Sequence, residues 1–303
     1  MAKTRELRRR IRSIGKTRQI TKTMEMVSTS KLKRASDRVA AARPYARYLA
    51  EVIGRLLDPE LRERYPLLRQ PASAQRAAIV MLTSNRGLAG AFNVNLIRET
   101  RALTDRLRAR GTDVEVHGVG RKGIAFFRFR KEPLASTNTE IGDRGTIADA
   151  GALIEPLRDR FERGELDEVY VVYAQFRSAM STPPAVLKVL PIEAPAGPAE
   201  AHGPHALARD QEEENGWIAN YLLSPSAEQI LDRLLPLYVR NTMYRALVET
   251  SAAEHGARRT AMKSATDNAG DMLDTLSRTY NRARQAQITQ EIAEIVGGAA
   301  ALE

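Results

Sequence analysis

Two short runs of this 303-residue sequence carry the residue types that hold phosphates. Gly15-Lys16-Thr17 matches the end of a phosphate-binding loop, G-x-x-x-x-G-K-[ST], in which the N–H groups of a glycine-rich turn wrap the phosphates. The first glycine of that pattern would fall on Arg10, and LRRRIRS (7–13) is too charged for the buried strand the loop must follow. The run therefore does not read as a nucleotide site. Gly118-Val119-Gly120-Arg121-Lys122-Gly123 is a G-x-G-x-x-G between a strand-like and a helical stretch, with Asp143 twenty residues beyond it. That is the form of a dinucleotide fingerprint, and Arg121 with Lys122 could face a 2′-phosphate. Yet it follows the second strand rather than the first, and the helix after it is broken at Pro133. A tight strand–helix turn is the plainer reading.

Other reactive groups are scattered. His202 and His205 share a polar, proline-rich loop with no third ligand near them, and His117 falls inside a strand-like run. No Ser-His-Asp set or carboxylate pair stands out. With no cysteine, the chain has no disulfide, thiolate metal site or cysteine nucleophile. The middle of the sequence shows no convincing catalytic, cofactor or metal site.

The charge is unevenly spread. The net charge is +10, but residues 1–57 hold 16 basic and 4 acidic residues, so the excess lies wholly in that segment. An acidic partner is implied. It could be nucleic acid, whose phosphates reward Lys/Arg clusters, or an acidic protein surface; the segment lacks interleaved aromatics for stacking on bases. MAKTRELRRR has no apolar core of a secretory signal, and no apolar run approaches the roughly 18–20 residues that span a bilayer. A cytosolic chain without direct membrane insertion is expected.

Residues 4–57 hold one proline, Pro44, and two glycines, Gly15 and Gly54. Apolar residues recur at three- and four-residue steps: Leu7, Ile11, Ile14; then Ile20, Met24, Val27; then Ala35, Val39, Ala42. This is a coiled-coil seam, with a slip of register between Ile14 and Ile20. After SPSAEQ (224–229) a second helix is predicted to about Val296, ended by Gly297-Gly298 and kinked near Pro236. Its seam reads Met262, Ala265, Ala269, Met272, Leu276 and later Ile288, Ile292, Ile295. Two such helices at opposite ends of a chain should pair antiparallel. Between them, apolar runs at 77–84, 113–120, 168–176 and 185–192 alternate with helical stretches at 93–110 and 147–163, which predicts a mostly parallel sheet with an edge strand last. The fold class is thus α/β: a long antiparallel coiled coil plus a Rossmann-like α/β domain. The expected divisions are an N-terminal helix at 1–57, the α/β domain at 75–195, a loop at 196–223 and a C-terminal helix at 224–303.

IRSIGKTRQITKTMEMVSTSKLKRA (11–35) closely resembles the N-terminal helix of the γ subunits of F-type ATP synthases. ARPYA (42–46), TSNRGLAGAFNVNL (83–96) and AMKSATDNAGDMLDTLSRTYNRARQAQITQEIAEIVGGAAAL (261–302) continue the likeness nearly end to end. The resemblance implies a rotary central stalk, a peripheral membrane protein on the cytoplasmic face of a bacterial plasma membrane. It would turn inside a ring of three α and three β subunits and stand on the membrane c-ring beside ε, so that nucleic acid is not its partner. It also implies that Lys22, Met24, Lys31, Lys33 and Arg34 face or flank an acidic segment of the β subunits. Arg284 and Gln285 would contact a β loop, Arg258 would bear on coupling, and Ile288, Ile292 and Ile295 would form a tip in an apolar bearing. Ala89 stands where many relatives have cysteine, and Gly15 replaces a better helix former.

Overall fold

The computed structural model describes residues 2–56, 64–71, 73–192 and 227–300. The elements run α1 (Ala2–Leu56), a short 3-10 turn (Pro66–Leu68), β1 (Arg76–Leu82), α2 (Phe92–Arg108), β2 (Asp113–Val119), α3 (Arg121–Arg130), β3 (Ser136–Asn138), α4 (Ile147–Glu162), β4 (Glu168–Ala174), β5 (Pro184–Leu190) and α5 (Ala227–Ala300). The predicted histidine-bearing loop at 196–223 lies outside the described residues. Two compact units are present, one drawn from residues 1–29 and 258–303, the other from 30–257.

In the second unit, five strands form one sheet in the order β3-β2-β1-β4-β5. The β1 pairings with β2 and β4 are parallel, as is β2 with β3, whereas β5 joins β4 antiparallel. Strand β1, RAAIVML, shows why the sheet is buried on both faces. Side chains alternate across a strand, so Ala77, Ile79 and Met81 pack under α2 with Leu96, Leu103 and Leu107. Ala78, Val80 and Leu82 face the other way, onto Ile154, Leu157 and Phe161 of α4. A run apolar at every position is what such a strand requires. On that second face Leu49 and Ile53 of α1 and Leu231, Leu235, Val239 and Met243 of α5 join the same core. Helix α4 starts with a capping box: Thr146 Oγ1 accepts from the Asp149 N–H, and the Asp149 carboxylate accepts from the Thr146 N–H.

Both long helices depart from expectation in register. Along α1, Ile20 is 60% exposed and Val27 is 51% exposed, while Thr21 and Ser28 are buried. The buried or half-buried positions Leu7, Ile14, Thr21, Ser28, Ala35 and Ala42 are spaced by seven, so no slip of register occurs. The seam passes through hydroxyl residues because each can satisfy itself locally: Thr21 Oγ1 donates to the Arg18 carbonyl at 3.0 Å. Along α5 the inner positions are Met262, Thr266, Ala269, Leu273 and Leu276; Met272 is 57% exposed, so the predicted line through Ala265 and Met272 runs one residue off the true seam. Helix α5 also continues through Gly297 and Gly298 to Ala300, past the end expected at the glycine pair. Glycine costs a helix about 1 kcal/mol but does not forbid it, and alanines follow here.

Candidate functional site

The glycine-rich run at 118–123 is the obvious place to look for a ligand, and its own chain occupies it. In a dinucleotide fold the N–H groups opening the helix after the second glycine point at the pyrophosphate. Here the Arg121 N–H donates to Asn85 Oδ1 at 3.0 Å, that of Lys122 to the Ser84 carbonyl at 3.1 Å and that of Gly123 to Thr83 Oγ1 at 3.0 Å. The Gly120 N–H goes to the Asn138 carbonyl. Gly120 has a φ of +93°, and a Cβ there would stand 2.0 Å from the Thr83 carbonyl oxygen; one at Gly123 would meet Met81 and Thr83 under 3.0 Å. The glycines are thus needed so that β1, β2 and α3 can approach one another. Asp143, the would-be ribose acid, points elsewhere: its Oδ2 lies 2.5 Å from Lys31 Nζ on α1.

The other place a doubly wound sheet binds ligands is the crevice at its switch point, beyond the carboxyl ends of the strands where their order reverses. In this sheet that is the end of β1 and β4, and α5 fills it. The Ala174 N–H donates to Thr250 Oγ1 at 3.3 Å, and the Phe176 N–H to Glu249 Oε2 at 3.2 Å. Glu249 is buried and takes a charge-assisted bond from Arg245 Nε at 3.1 Å. Burial pushes the phenol of the adjoining Tyr173 up, and the negative charge of Glu249 adds to that. Among the described residues no group of three His, Asp or Glu is placed to hold a metal ion.

Exposed large apolar side chains are densest in the unit built from the ends of the two long helices. Their pairing is antiparallel: Thr4 Oγ1 lies 3.0 Å from Gln287 Oε1, Arg8 sits over the Tyr280 ring at 5.8 Å, and Thr21 Oγ1 is 2.8 Å from Thr266 Oγ1. The partner number falls as the α1 number rises. Thr266 also donates to the Met262 carbonyl at 2.8 Å, so the buried hydroxyl pair has acceptors on both helices. Outside this thin seam, Ile20, Met26, Val27, Met272, Ile288, Ile292 and Ile295 all stand 43% exposed or more. Large apolar side chains gathered on the surface of one unit mark an interaction surface.

The residues singled out in the sequence fall into distinct settings. Lys33, Arg34, Arg284 and Gln285 are exposed, and Lys22 is exposed with Glu25 at 3.3 Å. Met24 is half-buried, and Arg258 is 6% exposed. Lys31 differs most: its ammonium is engaged by Asp143 within the chain. Ile288, Ile292 and Ile295 are exposed. The sequence reading overlooked Ile20, Met26 and Val27 as surface groups because it placed Ile20 and Val27 in the seam. Counting strict sevens from Ile14 would have found Thr21 and Ser28 instead.

Comparisons with known proteins agree with this architecture. A family model described as ATP synthase matches residues 3–302. The ATP synthase gamma chain of Gemmatimonas aurantiaca is 56% identical over 303 residues, covering the whole of both chains. That of Streptomyces coelicolor is 41% identical, covering 99% of this chain and 96% of its own. Among solved structures, a chain of the Euglena gracilis mitochondrial ATP synthase rotor superposes with a TM-score of 0.64 at 18% identity, covering 95% of this chain and 99% of that one. A chain of the Tetrahymena thermophila mitochondrial central stalk and c-ring gives 0.58 at 21% identity, covering 81% and 99%. At such identities the structures speak for the fold, while the relatives speak for the family. This chain belongs to the family of ATP synthase gamma chains.

Proposed function

We propose that this chain is the central-stalk rotor of an F-type ATP synthase and performs no catalysis of its own. Its paired helices turn inside a ring of α and β subunits, while the α/β domain stands with ε on the membrane c-ring, at the cytoplasmic face. The observation that carries this reading is the helix pair itself: a thin seam in which alanines and hydroxyl residues sit among a few larger apolar ones, with other large apolar side chains and most basic ones outside. The filled switch-point crevice and the occupied glycine-rich turn favour a mechanical rather than a ligand-binding α/β domain. No helix among the described residues is long and apolar enough to cross a membrane, which suits a peripheral place.

Mechanically, a shaft can bias the catalytic sites around it only if it touches them differently, since a contact equal in all states shifts no population. In this reading the exposed cations Lys22, Lys33 and Arg34 meet an acidic segment of one β subunit at a time, with Met24 beside them. Lys31 stands beside them with its charge offset by Asp143, and Arg258 bears on coupling. Arg284 and Gln285 touch a β loop further along, and Ile288, Ile292 and Ile295 run in the apolar bearing of the ring. Exposed charge contacts of this kind weaken with salt.

The test is to tag the chain in its host, solubilise the membranes gently and measure ATPase activity on what co-purifies. Alpha and beta subunits in equal amounts together with Mg-ATP hydrolysis are expected. A lone chain without ATPase contradicts the reading. Charge reversal at Lys33 or Arg284 is then expected to lower ATP-driven proton pumping in the complex while leaving the fold intact; unchanged pumping in both variants would remove these residues from the coupling surface.

A further inference from the structure

Asp143 lies in the loop between β3 and α4 and touches both long helices at once. Its carboxylate Oδ2 is 2.5 Å from Lys31 Nζ on α1 and 3.6 Å from His255 Nε2 on α5. Its backbone carbonyl accepts from Arg38 Nη2 at 2.9 Å, on α1, and from Ser251 Oγ at 2.8 Å, on α5. The loop in turn is braced by the sheet. Asn85, just past β1, donates to the Thr139 and Ile141 carbonyls at 3.2 and 2.9 Å, and Asn138 Oδ1 accepts from the Glu140 and Ile141 N–H groups. A second loop, between β4 and β5, comes close to the same level of the helices. A Cβ added at Gly256 would lie 3.2 Å from the Ala179 carbonyl and 3.8 Å from Leu32, so the loop passes close over α5 at this glycine. That loop is closed by paired Ser178 and Ser181 bonds and is tied to α1 by Arg43, which donates to the Phe176 carbonyl at 3.0 Å.

The position of these contacts is informative. Apolar contacts hold α1 at Ala35, Val39, Leu49 and Ile53 and α5 from Leu231 as far as Ala253 and Ala257. The polar contacts, at residues 31–38 and 251–256, lie level with the last of these, near the ends of the compact unit at residues 30 and 257. Together they hold both helices at that end of the α/β unit. Directional, charge-assisted bonds suit that place, because they resist sliding and twisting where apolar contact alone is tolerant of both.

We infer that the Asp143 loop and the Ala179 loop form a collar that sets where the twisting length of the shaft begins, with Asp143 as its positioning residue. This rests on the rotor reading. In relaying torque, a helix pair held at the collar twists only beyond it; a helix pair freed there twists over a longer span and delivers force later. Lys31 serves this collar through its bond to Asp143.

The test uses the assembled complex with its catalytic ring arrested and a reporter on the α/β domain, whose angular spread reports torsional compliance. Asp143→Ala with Ser251→Ala is expected to widen the angular variance about twofold while leaving ATPase per complex as in the wild type. The charge swap Asp143→Lys with Lys31→Asp is expected to narrow it again. Leu107→Ala, a core change far from the collar in sequence and cluster, should not widen it. An unchanged variance in the double variant, or equal widening by Leu107→Ala, overturns the collar. Should the double variant not assemble, Asp143→Asn alone is expected to give a smaller widening, and none overturns the inference. A wild-type complex that hydrolyses ATP with a stationary shaft would instead defeat the rotor reading, and the collar with it.

Discussion

The α/β unit and the unit of paired helix ends differ in what they bury. In the first, Phe161, Ile79, Leu96 and Leu166 are almost wholly enclosed, and polar groups such as Glu249 and Thr250 are turned inward to close off the ends of strands. In the second, Thr21, Ser28 and Thr266 lie inside, and Ile20, Val27, Met272 and the three tip isoleucines lie outside. The larger unit encloses most of its large apolar side chains, although Phe129 and Met180 stand out from it. The smaller one leaves a greater share of them on the surface and holds itself together with a narrow seam. That contrast explains why the glycine-rich turn, although it carries the letters of a cofactor site, behaves as a packing joint.

The contrast can be broken most directly by truncating one apolar residue in each unit. Phe161→Ala should cost about 3–5 kcal/mol, since the ring is enclosed and Arg69 lies across it at 5.3 Å. Ile20→Ala with Val27→Ala should change the stability of the isolated chain by no more than about 0.5 kcal/mol each, yet weaken retention of α and β subunits. Chemical denaturation and co-purification read the two effects separately. A loss of several kcal/mol at Ile20 or Val27 would put them back in the seam.

Gly120→Ala comes next. The +93° φ and the 2.0 Å approach to Thr83 make a cost of at least about 2 kcal/mol the expected outcome in denaturant titration. A tolerated alanine would mean that the turn is open enough for a ligand after all.

Gly15→Ala should do the reverse and raise stability by about 1 kcal/mol, because a Cβ there meets nothing within 4 Å. Thermal unfolding of the isolated chain checks it. A destabilised Gly15→Ala variant would show that α1 needs a soft point in its seam.

The smallest effect concerns pH. Burial pushes the Glu115 carboxyl up, but hydrogen bonds from Arg160 and His117 outweigh it and leave it below the ordinary carboxylate range. Its contribution is therefore present above about pH 4.3, the unfolded value, and is lost as pH falls through the lower folded value. Glu115→Gln should cost under about 1 kcal/mol at neutral pH, with the two stability curves converging in acid. Curves that run parallel down to pH 2 would show that this bridge carries no acid sensitivity.

The sheet was readable from sequence because β1 and β4 are apolar at nearly every position, which only a strand covered on both faces demands. Strand β3 was not foreseen, since STN at 136–138 has no apolar signature and pairs with β2 through its backbone and the Ser136 hydroxyl. The long helices were legible as helices. Their seam was misplaced, because reading apolar residues as buried fails where hydroxyls satisfy themselves inside and large apolar side chains such as Ile20 and Val27 stay exposed. The candidate surface was legible only through resemblance for Lys33, Arg34, Arg284 and Gln285. The bond from Asp143 to Lys31 joins residues 112 positions apart, and no local spacing could announce it.

The central claim is that the distal helices turn as a shaft within a ring of larger subunits. It is tested most directly by anchoring the α and β subunits of the purified complex to a surface, placing a bead on the α/β domain of this chain and supplying Mg-ATP. The account predicts unidirectional rotation of the bead that stops when ATP is exhausted. Steady ATP hydrolysis under a bead that stays fixed in angle would contradict it.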